Sequence, residues 1–515
     1  MTDQFKTPSL VFRSDFECGN LSEVIRRGEF EYELHIRPDE RNDPKAMALW
    51  FYFSVSIQQP NTVLLLRIIG SSKLKSNYRH GQSPVVRSFY QGTFSEWQKV
   101  SPKNVYYYKP CPSSNSYETA FIFSFSLSCD YYFAYSYPYS YTHLQKFLYT
   151  LSLVNCPTLH RSALCRTLLG NRIELLSSVP SLLSLSSLPY PSIFISARAH
   201  PGESPSSWVM EGLLEFFSSN CSSRLRSFCA IYCVPMLNPD GVVNGNYRTD
   251  MLGNDFNRVW NRHSTSLIGD LVDSPVKYYV DMIQGCIQNQ HTFPAFSLDI
   301  HSHSYLKEAF LFGNKFSKVS GYHHNPIMRQ WDVDDSLRSK LCNEQGLNPA
   351  NFNFYLGFFP DEPEEFAKLF CKKDLTVCLN QCRFEDLSES KILTHSSSSA
   401  SLDSLSTHTN TESEKQKEGV VLGTQRHVLG KLLKPFGGHA MTLEVSSSLS
   451  NALETRGSGN CLLHGNTPQY STAALKNLGW NLGFALDDYL HTKYVQKRMV
   501  KKFWTDKSRS NEVCE

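Results

Sequence analysis

A histidine and a glutamate stand three residues apart at His200 and Glu203, where the apolar run 193–197 gives way to helix-like sequence. Imidazole and carboxylate groups are both ligands that zinc takes in proteins. Pro201 fixes one backbone angle and Gly202 permits an unusual one, so we expect the two side chains to converge on one point. A pair at this spacing also arises by chance, and a buried hydrogen-bonded pair is the alternative.

A catalytic zinc site needs a third protein ligand and a position left for water. His301 ends the apolar run 296–300 and is placed to supply that ligand. His303 has the same parity in the predicted strand but lies further into the following loop. It is the alternative third ligand, or else it contacts a ligand or the substrate. Together, His200, Glu203 and His301 predict one zinc centre and a zinc-dependent hydrolase.

Hydrolysis at such a centre also needs a base and positive charge. Glu444 stands late in the apolar run 440–445, where an unpaired carboxylate is costly to bury, so it is the predicted base. A salt bridge to a distant arginine is the alternative. Arg248 and Arg258 offer guanidinium groups that bind carboxylates or stabilise an oxyanion, and Asn257 adds neutral donors. Either arginine taken alone is more often a solvated surface residue.

The segments that must position these residues differ between the two parts of the chain. Residues 1 to about 150 are β-rich, and the strict alternation at 121–128 places Phe121, Phe123, Phe125 and Leu127 on one face. A second strand is predicted from 131 to 137 and a helix from 141 to 150. Short strands separated by proline, serine and asparagine favour an antiparallel β-sandwich.

From about residue 155, short apolar runs alternate with helix-like segments, which predicts buried strands in an α/β sheet. The runs lie at 192–197, 228–234, 296–300 and 440–445. Ser204 as a cap and Pro205 in the first turn predict the start of a helix with an apolar face. That face carries Trp208, Val209, Leu213, Phe216 and Phe217. A second amphipathic helix is predicted from 471 to 490.

These patterns divide the chain into an N-terminal β-sandwich domain at 1–152 and a catalytic domain at 153–490. Within the catalytic domain, the serine-rich residues 388–418 have little to bury and are predicted to form a disordered insert. Residues 491–515 form a basic tail, which we expect to be a solvated end.

The chain has 515 residues and a net charge of +3, too small to favour nucleic acid or an anionic membrane as a partner. The sequence contains neither an uninterrupted apolar stretch of ~18 residues nor a signal-peptide pattern, so no membrane span is expected. The 15 cysteines are scattered and odd in number, which favours reduced thiols in a cytoplasmic protein. Cys378 and Cys382 have no paired ligands nearby, so a second metal site is not predicted.

As an ordered set, the motifs resemble the zinc metallocarboxypeptidases, and more narrowly the cytosolic carboxypeptidases, also called tubulin deglutamylases. The motifs are His-Pro-Gly-Glu at 200–203, Pro-Met-Leu-Asn-Pro-Asp-Gly-Val-Val at 235–243, Asn-Tyr-Arg at 246–248, Asp-Phe-Asn-Arg at 255–258, Asp-Ile-His-Ser-His-Ser at 299–304 and Thr-Leu-Glu at 442–444. Segments 84–87, 106–108 and 133–141 resemble the sandwich domain that precedes the catalytic domain in this family. The resemblance implies an α/β metallocarboxypeptidase domain with a mixed central sheet flanked by helices, preceded by an antiparallel β-sandwich.

The resemblance also implies residue roles. One Zn²⁺ per chain would be held by His200, Glu203 and His301, with Glu444 as the general base and Arg248 stabilising the oxyanion. The substrate's terminal carboxylate would be clamped by Asn257 and Arg258. Arg426 is the likeliest counterpart of the basic residue that recognises an acidic side chain in this family, and Lys431 is the second candidate. His303 is predicted to lie in the substrate pocket.

The function that follows is the removal of glutamates from polyglutamylated protein tails, above all those of tubulin, in the cytoplasm and in association with microtubules or cilia. One alternative is a carboxypeptidase for aspartate or tyrosine ends. Another is a non-catalytic tubulin-tail binding protein, although such a protein could lose its ligands and base freely.

Overall fold

The structure is a computed structural model that describes fourteen segments of the chain. They are residues 4–7, 10–39, 48–71, 76–114, 116–153, 159–180, 190–260, 274–288, 292–306, 308–315, 363–386, 424–433, 438–446 and 471–496. The predicted insert at 388–418 and residues 497–515 of the predicted tail lie outside these segments.

The N-terminal part of the chain folds into two facing sheets. Its strands are β1 (Gln4–Thr7), β2 (Leu10–Arg13), β3 (Glu23–Arg26), β4 (Glu31–His35), β5 (Tyr52–Ile57), β6 (Thr62–Ser71), β7 (Val85–Tyr90), β8 (Thr93–Phe94), β9 (Gln98–Lys99), β10 (Val105–Tyr108), β11 (Tyr117–Phe125) and β12 (Asp130–Ala134). One sheet has the order β1-β2-β5-β12-β7-β8, with β9 on β7, and the other has the order β10-β11-β6-β4-β3. The predicted β-sandwich is confirmed, although β4 and β6 pair in parallel.

The alternation in β11 places part of the predicted face in the sandwich core. Phe121 and Phe125 are fully buried, and the ring of Phe123 packs edge-on against Phe133 of the facing sheet at 5.1 Å. Leu127 was expected on the same face but is 40% exposed, because β11 ends at Phe125. The strand predicted at 131–137 is β12, and it ends three residues early at Ala134.

The second part of the chain is built on one mixed sheet. Its strands are β13 (His160–Arg166), β14 (Arg172–Ser178), β15 (Tyr190–Ala197), β16 (Ala230–Val234), β17 (Thr292–His303), β18 (Phe310–Lys315), β19 (Arg383–Asp386) and β20 (His439–Ser446). They lie in the order β13-β14-β16-β15-β17-β20-β18-β19. The central strands β16, β15, β17 and β20 run parallel, and β18 pairs antiparallel with β20. All residues of β17 are buried, as expected for a parallel strand covered on both faces.

Helices cover the sheet, as predicted. They are α1 (Tyr141–Leu153), α2 (Pro205–Ser218), α3 (Ser223–Phe228), α4 (Pro239–Asn244), α5 (Pro275–Gln288), α6 (Glu364–Lys373), α7 (Gln425–Leu433) and α8 (Thr472–Leu490). Pro205 begins α2 as expected, but Ser204 makes no side-chain cap. Its hydroxyl instead bonds to Ser136 Oγ of the N-terminal part at 2.8 Å, so a contact between the two parts of the chain replaces a local cap.

The helices α2 and α8 pack backbone to backbone. A Cβ atom added at Gly479 of α8 would lie 1.9 Å from the carbonyl oxygen of Val209, and one at Gly212 of α2 would lie 1.9 Å from that of Lys476. Real Cβ atoms never approach a carbonyl oxygen this closely. Glycine at these two positions therefore sets the distance between the helices.

Buried groups connect the two parts of the chain. Asn20 Nδ2 donates to Gly245 O at 3.1 Å, and Trp208 Nε1 donates to Tyr137 O at 3.3 Å. At the C-terminal side, a π-helical turn, His491–Gln496, follows α8, and its Lys493 is buried. The start of the predicted basic tail thus packs against the protein instead of standing in solvent.

The cysteines in the described segments are free thiols, as the sequence predicted. Cys382 Sγ accepts a hydrogen bond from Leu311 N at 3.3 Å and donates to Cys378 O at 3.4 Å, so this pair serves the local backbone. Within the same segments, none of the helices combines the length and apolar character that a membrane crossing requires.

Candidate active site and metal centre

The turn after β15 carries the first two predicted ligands and is shaped by a buried arginine. Arg198 has a φ of 62°, a left-handed conformation that is uncommon outside glycine. The residue is 2% exposed, and its guanidinium donates to Pro201 O at 2.9 Å, to Tyr139 O at 3.0 Å and to Ser207 Oγ at 2.9 Å. These bonds hold the strained residue in place and fix the turn that follows it.

Gly202 lies in this turn for a different reason from the one predicted. Its φ lies outside the left-handed region, so the prediction of an unusual backbone angle at Gly202 is wrong. Its N–H donates to Tyr247 O at 2.7 Å, and an added Cβ would lie 2.6 Å from Tyr247 Cδ2 and 2.9 Å from Tyr247 O. Close packing against Tyr247 therefore requires glycine at this position.

The three predicted ligands meet although they come from two distant parts of the chain. His200, Glu203 and His301 are buried, and one ligand atom of each lies within 4.8 Å of the others. His200 Nδ1 is 2.8 Å from Glu203 Oε1, His301 Nδ1 is 3.0 Å from Glu203 Oε2, and the two Nδ1 atoms are 3.1 Å apart. Ser302 N donates to Glu203 Oε2 at 2.8 Å and holds the carboxylate between the two rings.

Two further carboxylates stand behind the imidazoles. His200 Nε2 lies 3.0 Å from Asp255 Oδ1, and His301 Nε2 lies 2.6 Å from Asp299 Oδ2. A carboxylate on Nε2 keeps the proton there and leaves Nδ1 as the ligand atom, an arrangement typical of zinc-binding histidines. Neither aspartate was predicted from the sequence to orient a ligand. Asp299 could have been found, because it precedes His301 by two residues on one strand and shares its face.

The Asp299 carboxylate also connects the centre to a helix. Ser196 Oγ donates to Asp299 Oδ1 at 2.9 Å, and Gln425 Nε2 donates to Ser196 Oγ at 2.8 Å. Gln425 begins α7, the helix that also carries Arg426. The position of α7 is thus tied to the group that orients His301.

The charges in this cluster depend strongly on one another. Burial acts against ionisation, but the Asp299 and Glu203 carboxylates raise the pKa of His301 well above its usual value. The two imidazoles in turn lower the pKa of the buried Glu203 well below its usual range. Two imidazole nitrogens and a carboxylate, each oriented by a further polar group, are a donor set that fits zinc.

Glu444 lies beside the triad because β20 pairs with β17. The register places Glu444 opposite His301 on the neighbouring strand. Burial raises the pKa of the Glu444 carboxyl to about 7, where it can exchange a proton near neutral pH. The alternative was a salt bridge, but no lysine or arginine in the described segments forms an ion pair with Glu444.

The predicted cationic residues lie close to the triad. Arg248 Nε donates to Asp255 Oδ2 at 2.7 Å, so Asp255 bridges Arg248 and His200. Asn257 Nδ2 lies 3.4 Å from His301 Nε2, and Arg258 Nη1 donates to Asn257 O at 2.8 Å. Burial and the positive charge of Arg248 lower the pKa of Arg258 from its usual value. Two guanidinium groups therefore share one partly buried region.

Arg426 and His303 both make contacts within the protein. Arg426 Nη1 donates to Gly313 O at 3.0 Å and to Asn314 Oδ1 at 2.9 Å, which fixes the guanidinium against β18. His303 Nε2 lies 2.9 Å from Glu308 O, and its Nδ1 accepts from Leu306 N at 3.3 Å. Both ring nitrogens of His303 therefore hold the loop after β17, and His303 is not part of the triad. The substrate-binding roles of both residues stay predictions.

Comparison with known proteins relates both parts of the chain to one family. Residues 12–135 match the cytosolic carboxypeptidase N-terminal domain, and residues 144–305 match the zinc carboxypeptidase domain. Cytosolic carboxypeptidase 6 of Homo sapiens is 36% identical over 362 residues, which cover 69% of this chain and 70% of that protein. Its Caenorhabditis elegans namesake is 34% identical over 351 residues, covering 67% of this chain and 73% of that one.

Solved structures share the fold. A metallo-carboxypeptidase from Burkholderia cenocepacia superposes with a TM-score of 0.61 at 19% identity, covering 94% of this chain and 99% of that one. A metallo-carboxypeptidase from Pseudomonas aeruginosa gives a TM-score of 0.56 at 20% identity, covering 93% and 99%. At these identities the structures support the predicted fold alone. The sequence relatives and domain matches go further: the chain is a carboxypeptidase and belongs to the cytosolic carboxypeptidase family.

Proposed function

We propose that this protein is a zinc-dependent carboxypeptidase that removes glutamates from polyglutamylated protein tails, those of tubulin in particular. The observation that supports this most directly is the convergence of His200, Glu203 and His301, with Glu444 on the adjacent strand. The relatives are named cytosolic carboxypeptidases. We therefore also propose a cytoplasmic location, with association to microtubules or cilia following from a tubulin substrate.

In this mechanism His200, Glu203 and His301 hold the zinc, which would supply a Lewis acid beside the scissile carbonyl. A carboxylate oxygen of Glu444 takes a proton from the attacking water and returns it to the leaving amine. The Arg248 guanidinium donates to the oxygen on which negative charge develops. Asp255 contacts both Arg248 and His200, so it orients the oxyanion donor relative to a ligand.

Substrate selection depends on the neighbouring cations. Asn257 and Arg258 bind the terminal carboxylate, for which a guanidinium offers two-point geometry. Arg426 recognises the acidic side chain of the terminal residue. Polyglutamylated tails are acidic and disordered, so a site with several cations suits them and favours their encounter.

The base assignment is tested by Glu444→Gln. This change keeps the side-chain volume but removes the proton acceptor, so kcat should fall by roughly 10²–10⁴ while zinc remains bound. Tail masses of polyglutamylated tubulin measure turnover, and metal analysis measures zinc. Glu23→Gln on the exposed strand β3 is the matched control and should keep full activity. Substantial turnover by Glu444→Gln would refute the assignment. A purified native protein that lacks zinc and turnover would instead favour the non-catalytic binder.

A second test concerns the terminal residue. The Arg426 guanidinium already bonds to Gly313 and Asn314, which keeps open the alternative of another preferred end such as aspartate or tyrosine. Arg426→Ala should reduce kcat/KM on glutamate-ended peptides by roughly 10-fold or more and spare neutral ends. Lys368→Ala, at an exposed lysine on α6, is the control. An equal loss on acidic and neutral ends would argue against a recognition role.

A further inference from the structure

A carboxylate of the N-terminal sandwich binds the loop that carries Arg248. Asp39 follows β4 and lies 208 residues before Tyr247 in the chain. Its Oδ1 accepts from Tyr247 N at 2.6 Å, and its Oδ2 accepts from Arg248 N at 2.6 Å and from Thr249 N at 2.8 Å. Three consecutive backbone amides thus point at one carboxylate, which is a strong, charge-assisted arrangement.

The opposite side of the same loop rests on the metal-binding turn. Tyr247 O accepts from Gly202 N at 2.7 Å, while Tyr247 N donates to Asp39. Residue 247 is therefore held between the sandwich on one side and the turn between His200 and Glu203 on the other. The next residue, Arg248, reaches Asp255 through its side chain.

The contacts of Asp39 indicate that it holds the backbone of one loop and does not serve general adhesion between the two parts of the chain. Burial raises the pKa of the Asp39 carboxyl even though three backbone amides stabilise its charged form. Within the described segments, the hydrogen bonds of its carboxylate all go to residues 247–249. Adhesion between the two parts of the chain has other sources, since Asn20 donates to Gly245 O and Arg37 donates to Asn244 O.

We propose that Asp39 is a positioning residue for Arg248, so that the N-terminal sandwich completes the active site of the catalytic part. By binding the amides at 247–249, Asp39 fixes the backbone from which the guanidinium reaches the developing oxyanion. The inference rests on the oxyanion role proposed for Arg248.

The test uses the 515-residue chain loaded with zinc, and a glutamate-ended peptide. Asp39→Asn should lower kcat roughly tenfold or more and leave KM within about twofold, because the lost interaction acts in the transition state. Zinc content should not change. Arg248→Ala should lower kcat further than Asp39→Asn does. The kcat of the double variant should equal that of Arg248→Ala within about twofold, because both changes remove the same function. Asn20→Ala, which removes a neighbouring hydrogen bond between the two parts, should keep its kcat.

Two results would overturn the role of Asp39. One is an equal loss of kcat in Asp39→Asn and Asn20→Ala. The other is a double variant whose loss of kcat is the product of the losses in Asp39→Asn and Arg248→Ala. An active Arg248→Ala would instead remove the oxyanion assignment and with it the proposed mechanism, which is a distinguishable failure. If Asp39→Asn does not fold, amide hydrogen exchange in the unmutated protein decides. Slow exchange at 247–249 supports the proposal, and exchange as fast as in an open loop refutes it.

Discussion

The carboxylates behind the two imidazoles determine which ring nitrogen faces the centre. Asp255 and Asp299 accept from the Nε2 atoms of His200 and His301, which leaves both Nδ1 atoms beside Glu203. A ring that could turn freely would present either nitrogen and would bind an ion less tightly. The aspartates thus convert two flexible side chains into a pre-oriented donor pair.

This orientation can be measured through Asp299→Asn. The amide has nearly the same shape but no negative charge, so His301 becomes a weaker and less ordered ligand, and zinc affinity should fall about 10–100-fold. Competition with a chromophoric chelator measures the affinity. Asp281→Asn, at an exposed aspartate paired with Lys277 on α5, is the control and should bind zinc normally. Unchanged affinity in Asp299→Asn would contradict the orienting role.

Sequence patterns predicted the residues of the centre better than the residues that support it. His200 and Glu203 follow the end of β15, while His301 and Glu444 lie near the ends of β17 and β20. Parallel strands bring such ends to one edge of a sheet. Arg198 is different, because its left-handed backbone depends on bonds to Tyr139 and Ser207, and no local spacing encodes such bonds.

A glycine stands inside α8 because of the packing between helices, which helix propensity alone would not predict. Gly479 lies inside α8, where glycine costs ~1 kcal/mol relative to alanine. The close approach of Val209 O explains why the smaller residue stands there. The sequence predicted the apolar face of α8 from its periodicity, but not which partner helix meets it, because periodicity describes one helix at a time.

Two glycine substitutions should have opposite effects on stability. Gly479→Ala forces α2 and α8 apart and should lower the free energy of unfolding by about 1–3 kcal/mol, despite the better helix propensity of alanine. Gly285→Ala in α5 is the matched control, since nothing lies within 4 Å of its added Cβ, and it should raise stability by about 0.5–1 kcal/mol. Chemical denaturation measures both. A stabilised Gly479→Ala would show that the helices can separate without cost.

At the start of α2, one prediction from local sequence was correct and another was wrong because a contact with a distant part of the chain replaced it. Pro205 marked the start of α2 correctly, because the proline ring suits a first turn in any context. Ser204 was expected to cap the same helix, but Ser136 from the other part of the chain takes its hydroxyl. The prediction that Leu127 shares the buried face of β11 was wrong for a related reason. Alternation predicts which face of a strand a residue takes, but not the residue at which the strand ends.

The two parts of the protein are joined by buried polar groups as well as by apolar packing. Glu211 of α2 is one of these groups: it accepts from His143 of α1 at 3.2 Å and from Lys476 of α8 at 2.6 Å. Burial alone would raise the pKa of Glu211, but the hydrogen bonds from His143 and Lys476 lower it below its usual value. The connecting helix α1 is thereby held to the catalytic part by a charged carboxylate.

This lowered pKa makes the stability of the whole chain depend on pH. The stabilisation by Glu211 is present above the pKa of about 4.3 in the unfolded chain and is lost as pH falls through the lower pKa of the folded state. Glu211→Gln should therefore cost about 1–3 kcal/mol at pH 7, and its difference from the native protein should shrink on acidification. Urea unfolding from pH 7 down to about pH 2.5 measures this, because the loss occurs below the pKa of the unfolded carboxyl. Glu215→Gln, 37% exposed at its side chain, is the control with a small effect. A difference that does not change with pH would count against a charged Glu211.

The position of β20 bears on how the protein is made. This strand is encoded after β17, β18 and β19, yet it lies between β17 and β18 in the sheet. On the ribosome, the sandwich can fold early, but β17 and β18 each wait with an unpaired edge until residue 446 has emerged. A message cut short before that codon therefore yields a chain with open strand edges and without Glu444. We expect such a chain to be a client of chaperones and proteases, and never a partly active enzyme.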